Sequence, residues 1–174
     1  MLTVKMLLYI FIFLTSTLLG YMYGGIYSKR VNSLVDLQQA IRFLQAEVTI
    51  FANPLPLALK NVSSRVSGDI SKVFLIINNN LVINESGDMY NSFFESYNFL
   101  KANCSLLKED IDIFMSLGKV IGKTNREDQE KQFAYVLDEL DLQLIEARVA
   151  KNQNEKLYRS LGVLLGLGMI IILI

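Results

Sequence analysis

Four places in this chain carry residue types that could do chemistry. Gly122-Lys123-Thr124 has the glycine, lysine and hydroxyl order of a phosphate-binding loop. Such a loop needs a glycine five residues before Gly122 and a buried strand leading into it. Leu117 stands at that position, and the residues before it repeat at helical spacing. The segment is therefore expected to be a helix end, not a nucleotide site. Glu109, Asp110 and Asp112 gather carboxylates but lack the Asp-x-Asp-x-Asp-Gly order of a calcium loop. They are expected to form a solvated helix face. Thr15, Ser16 and Thr17 place hydroxyls inside an apolar run, where such groups usually bond the backbone of their own helix. Cys104, the single cysteine, is expected to pack as a small hydrophobe.

The absences narrow the function further. The 174 residues include no histidine, so there is no imidazole base, Ser-His triad or His metal ligand. One cysteine excludes an internal disulfide and a Cys-cluster metal site. The 17 basic and 17 acidic residues balance without a basic run, which argues against nucleic-acid binding. No catalytic, cofactor-binding or metal-ligating residue is assigned, and no enzyme is expected.

Hydrophobic residues make up 52% of the chain, and they are unevenly placed. Residues 6–26 and 161–174 are free of charge, while 27–160 hold 16 of the basic and all 17 acidic residues. The first run, at 1.5 Å per residue, reaches about 31 Å, the thickness of a bilayer's hydrocarbon core. Lys5 can snorkel outward, and Tyr21, Tyr23 and Tyr27 stand where an interfacial aromatic belt belongs. A cleaved signal peptide is the rival reading, but no A-x-A-like site follows and the run is long for one. The second run alone covers about 21 Å, so it needs local bilayer thinning or an earlier start near Leu157 to cross. Lys29, Arg30, Arg42, Arg148, Lys151, Lys156 and Arg159 flank the domain between the runs, against Lys5 alone beyond it. Lys29, Arg30, Lys156 and Arg159 are the immediate membrane flank. The positive-inside rule then puts residues 27–160 in the cytoplasm. There the Asn-x-Ser sequons at Asn61, Asn84 and Asn103 carry no glycan.

The intervening domain reads as helices. Leu34, Leu37, Ile41, Leu44, Val48 and Phe51 form an apolar seam of alternating three- and four-residue steps. It stops at Asn53-Pro54-Leu55-Pro56, a structural turn containing both prolines of the chain. Pro54 biases Asn53 away from helix, and Pro56 suits a first helical turn. Leu55, Leu59, Val62 and Val66 make a second helix, closed by Gly68; Asp69 can cap a third through Ile77. Residues 78–88 read as a loop, with Leu81 to Ile83 extended. One helix is expected over 88–103 with Tyr90, Phe93, Phe94 and Tyr97 in the core, and another over 105–121 with Leu107, Ile111, Phe114 and Leu117 inward. Thr124-Asn125-Arg126-Glu127 has the form of a capping box, so Thr124 and Asn125 are the helix caps. The last helix can then run without proline or glycine from Arg126 to Leu161. Its order from acidic to basic complements the helix dipole. The expected fold is all-α: about six helices in a bundle between an N-terminal and a C-terminal transmembrane helix, over 1–26, 27–160 and 161–174.

The stretches from Tyr27 to Glu47, from Asn53 to Leu59 and from Lys156 to Leu167 resemble the stage III sporulation protein AB family of endospore-forming bacteria. Leu117, Gly118, Gly122, Thr124 and Gln129 match that family's central pattern, and the resemblance covers the whole length. Asn53 stands where the family has threonine, Leu57 where glutamate is common, and Asn125 where it has aspartate. The resemblance implies a mother-cell membrane protein, multi-pass with a cytoplasmic domain similar to that of type II secretion F platform proteins. It implies a channel complex between mother cell and forespore, with a cytoplasmic secretion-type ATPase and other membrane subunits as partners. Membrane lipid is a further partner, and homo-oligomers are compatible with it. The expected role is a non-enzymatic platform coupling that ATPase to membrane components. The alternative is a membrane transport subunit or membrane enzyme unrelated to sporulation.

Overall fold

The computed structural model describes residues 2–83, 89–122 and 125–173. All of its regular elements are helical: α1 (Leu2–Gln45), a π-helical turn (Ala46–Ile50), α2 (Leu55–Arg65), α3 (Gly68–Ile83), α4 (Met89–Glu95), α5 (Tyr97–Asn103), α6 (Lys108–Val120) and α7 (Arg126–Leu173). The all-α expectation holds. Two of the helices are long and apolar enough to cross a membrane. The chain divides into two compact units, residues 1–31 with 146–174, and residues 32–145.

In the second unit the core follows the helical spacing for most of its length. Leu34, Leu37, Ile41 and Leu44 of α1 are fully buried, as are Leu59 and Val62 of α2 and Phe133, Val136 and Leu140 of α7. Three phenylalanines form its centre: Phe114 lies edge-on to Phe74 at 5.9 Å and tilted against Phe93 at 5.2 Å. Gly118 is required beside them, because a Cβ there would come within 2.9 Å of the Phe93 side chain. Gly122, with φ of +81°, ends α6 in the left-handed conformation that a side chain disfavours.

Several local expectations are corrected. The seam on α1 does not reach Phe51, which is 59% exposed, while Glu47 and Thr49 are buried. The cause is the π-helical turn, closed by the Phe51 N–H donating to the Ala46 carbonyl at 3.0 Å. One extra residue per turn rotates the apolar phase off the core. Residues 78–83 are helical rather than loop or extended. Asparagine's deficit in helix propensity is a few tenths of a kcal/mol, too small to stop a helix already propagating from Ile70 to Ile77. Residues 84–88 lie outside the described residues.

The expected helix over 88–103 is two. Ser96 donates both its N–H (2.9 Å) and its hydroxyl (2.6 Å) to the Phe93 carbonyl, which tightens the turn and breaks the run. Of the aromatic stripe only Phe93 is core. Phe94 is exposed and stacks between Tyr90 and Tyr97 at 6.3 and 6.1 Å. Leu107, expected inward, is half exposed and sits at the N-cap position just before α6. Asp110, expected on a solvated face, is fully buried and accepts the Leu107 N–H at 2.8 Å. Its carboxylate caps the helix.

Candidate functional sites in the hairpin and the elbow

The first unit is a hairpin of two antiparallel apolar helix segments, and small residues set their separation. A Cβ on Gly20 would sit 2.8 Å from the Gly162 Cα and 2.7 Å from the Tyr158 carbonyl oxygen; one on Gly24 would sit 2.9 Å from the Glu155 carbonyl oxygen. Ser16 donates its hydroxyl to the Gly162 carbonyl at 2.7 Å, and Tyr9 donates to the Leu173 carbonyl at 3.0 Å. Thr15 bonds its own helix, at the carbonyls of Phe11 (2.9 Å) and Ile12 (3.0 Å). Ser16 departs from that expectation by bonding across the pair. The signal for this contact was present in the sequence as Ser16-x3-Gly20-x3-Gly24 and Gly162-x3-Gly166, the small-residue spacing of close-packed membrane helices.

Where the hairpin's apolar runs meet charge, aromatic and basic groups gather. Tyr158 stacks on Tyr23 at 6.3 Å and on Tyr27 at 5.9 Å. Arg159 lies 4.8 Å over the Tyr21 ring and pairs with Glu155 one turn earlier. Lys29 and Lys156 are exposed.

The elbow between α1 and α2 is built around Glu47, a residue that periodicity did not single out. Its side chain is 2% exposed. Asn53 and Asn61 donate their side-chain amides to Oε2 at 2.7 and 2.8 Å, and the Arg65 guanidinium lies 3.4 Å from Oε1. The Asn53 N–H also donates to the Glu47 carbonyl at 3.0 Å. The two amides, Asn61 first, hold the Glu47 carboxyl below the usual glutamate range against the opposing effect of burial; Arg65 assists. Ala52 is held at φ +51°, strained for a residue with a Cβ. Pro54 supplies the N-cap of α2, its carbonyl accepting the Ala58 N–H at 3.0 Å, and Pro56 occupies the first turn. Asn53, Pro54 and Pro56 are thus joined to one buried carboxylate by the turn they make.

The remaining sequence candidates fall apart spatially or chemically. Asn125 accepts the Asp128 N–H at 2.8 Å at the start of α7. Thr124 and Lys123 lie outside the described residues. Cys104 is buried, and desolvation pushes its thiol up to about 11, so it is protonated at neutral pH. Glu109 and Asp112 are exposed while Asp110 caps a helix, so the three carboxylates do not converge.

An all-α domain joined in sequence to two helices of membrane-crossing length is the class this chain falls in. It belongs to the stage III sporulation protein AB family, whose model matches residues 5–174. The stage III sporulation protein AB of Bacillus subtilis (strain 168) is 27% identical to it over 170 residues, covering 97% of this chain and 98% of that one. A solved structure of a stage III sporulation protein AB superposes with a TM-score of 0.65 at 21% identity, over 72% of this chain and 98% of the other. That likeness supports the helical fold.

Proposed function

We propose that this protein is a non-enzymatic membrane platform of a sporulation channel complex. It would couple a cytoplasmic secretion-type ATPase to membrane subunits, from the mother-cell membrane, with the helical domain in the cytoplasm. The observation that carries the reading is continuity: α1 and α7 each run unbroken from an apolar segment into the sequence of the helical domain. A helix transmits displacement along its axis because every turn is hydrogen-bonded to the next. Family membership supplies the process, and the domain's likeness to type II secretion F platforms is part of the proposal. Of the three hydroxyls that a membrane enzyme or transport subunit could use, Thr15 and Ser16 spend theirs on helix backbone. Thr17 Oγ1 is buried without a hydrogen-bond partner among the described residues, contrary to the expectation that it bonds its own helix.

The test is co-purification of the full-length chain with the ATPase of the sporulation complex from the same organism. Stable, stoichiometric association supports the platform reading. Absence of binding in vitro and in sporulating cells overturns it.

A further inference from the structure

Along the α1 face of the hairpin runs a groove of about 380 Å³, walled by Leu19, Tyr21, Met22, Tyr23 and Ile26 and ending at Lys29. Its floor is Gly25, where a Cβ would meet nothing within 4 Å, so the glycine leaves open space. Apolar walls occupy the part within the charge-free run, and the cation stands just past its end. From Leu19 to Lys29 is about 15 Å of helix. A phospholipid has the same order, with a charged phosphate at the boundary and hydrocarbon below it.

The charge around the groove selects the headgroup. Lys29 is exposed and makes no ion pair among the described residues. Arg159 lies on the Tyr21 ring that forms one wall, and its Nε is buried without a hydrogen-bond partner among the described residues. Among the described residues, no carboxylate lines the groove. The hairpin unit holds seven basic residues against Glu146 and Glu155, and Glu155 is already paired with Arg159. A second copy of the chain seated here would bring an equally basic collar against this one.

We propose that the groove binds one anionic phospholipid, an acyl chain lying over Gly25 and the phosphate on Lys29. The inference rests on the hairpin being embedded in a membrane.

The experiment is native mass spectrometry of the full-length chain in mild detergent. It is titrated separately with phosphatidylglycerol, phosphatidylcholine and glycerol phosphate, with flotation on phosphatidylcholine vesicles run in parallel. The expected result is one phosphatidylglycerol retained roughly tenfold more tightly than phosphatidylcholine, and no retained glycerol phosphate. Lys29→Gln should reduce the anionic preference about fivefold, the effect of one surface cation on an anionic lipid. Gly25→Leu, which fills the floor, should weaken both lipids. Lys29→Gln disturbs no packed atom, so it decides the matter if Gly25→Leu fails to fold. Equal retention of the two lipids, an unchanged preference in Lys29→Gln, or equal retention of glycerol phosphate overturns the inference. Failure to float removes the membrane reading and the inference together, whereas flotation without lipid preference removes the inference alone.

Discussion

Glu47 shows how a single carboxylate can fix a turn of the chain. Removing its charge leaves Asn53 and Asn61 facing a poorer acceptor in a buried site, so Glu47→Gln should destabilise the full-length chain by about 1–3 kcal/mol. The pH dependence follows from the direction of its shift. A carboxyl held below its ordinary value of about 4.3 contributes stability that is complete above that value and is lost as pH falls through the folded one. The gap between wild type and Glu47→Gln should therefore be constant above about pH 5 and close on acidification. Denaturant titrations across pH would measure it, and a gap that widens below pH 4 would contradict the assignment. At Gly118 the demand is steric: Gly118→Ala forces a Cβ onto Phe93 and should cost about 1–3 kcal/mol, read in the same titrations. Cys104 offers a check on burial. Because its thiol is raised to about 11, maleimide should label the native chain far more slowly at pH 7.5 than the unfolded one.

Among the elements, the elbow and the hairpin depend on different residue types. Pro54→Ala with Pro56→Ala should lower the melting temperature of the full-length chain. Without Pro54 the restriction on Asn53 is lifted and α1 can extend towards α2. Each of the apolar residues then pulled from the core is worth roughly 1.5–3 kcal/mol. Normal melting of this variant with loss of sporulation would instead make the elbow a contact surface, a role that the exposed Ile50, Phe51 and Leu57 would suit. In the hairpin, Gly20→Val with Gly162→Val places branched side chains where Cα atoms now nearly touch. Spin labels at Leu14 and Leu167, in a chain with Cys104 replaced by alanine, should then report a longer separation than in the glycine-containing parent. An unchanged distance would mean that the glycines do not set the packing.

For the whole molecule, the proposed platform role requires one orientation of the chain in a membrane. Seven basic residues flank the helical domain and one stands beyond it, so both ends of the chain are predicted to face away from the cytoplasm. Alkaline phosphatase fused to either end should be active, and a fusion placed between α3 and α4 should not. The reverse pattern would invert the topology and remove the ATPase from reach.

Helicity, the two apolar runs and the break at Asn53-Pro54-Leu55-Pro56 were legible in the sequence. Each rests on local terms: spacing along one face, charge-free length, and proline's missing N–H. Tertiary structure decided what local terms could not. The π-helical turn exchanges Phe51 for Glu47 in the core, because a buried carboxylate with two amides and a guanidinium around it outweighs continuing the seam. Those amides come from 6 and 14 residues away, and the apolar phase of α1 holds no trace of them. The aromatic stripe failed for a related reason, since a two-bond serine turn divided its helix and left Phe94 outside. Ser16 found its acceptor 146 residues away. Small-residue spacing marks a surface where backbones can approach, but only the folded hairpin determines which backbone does.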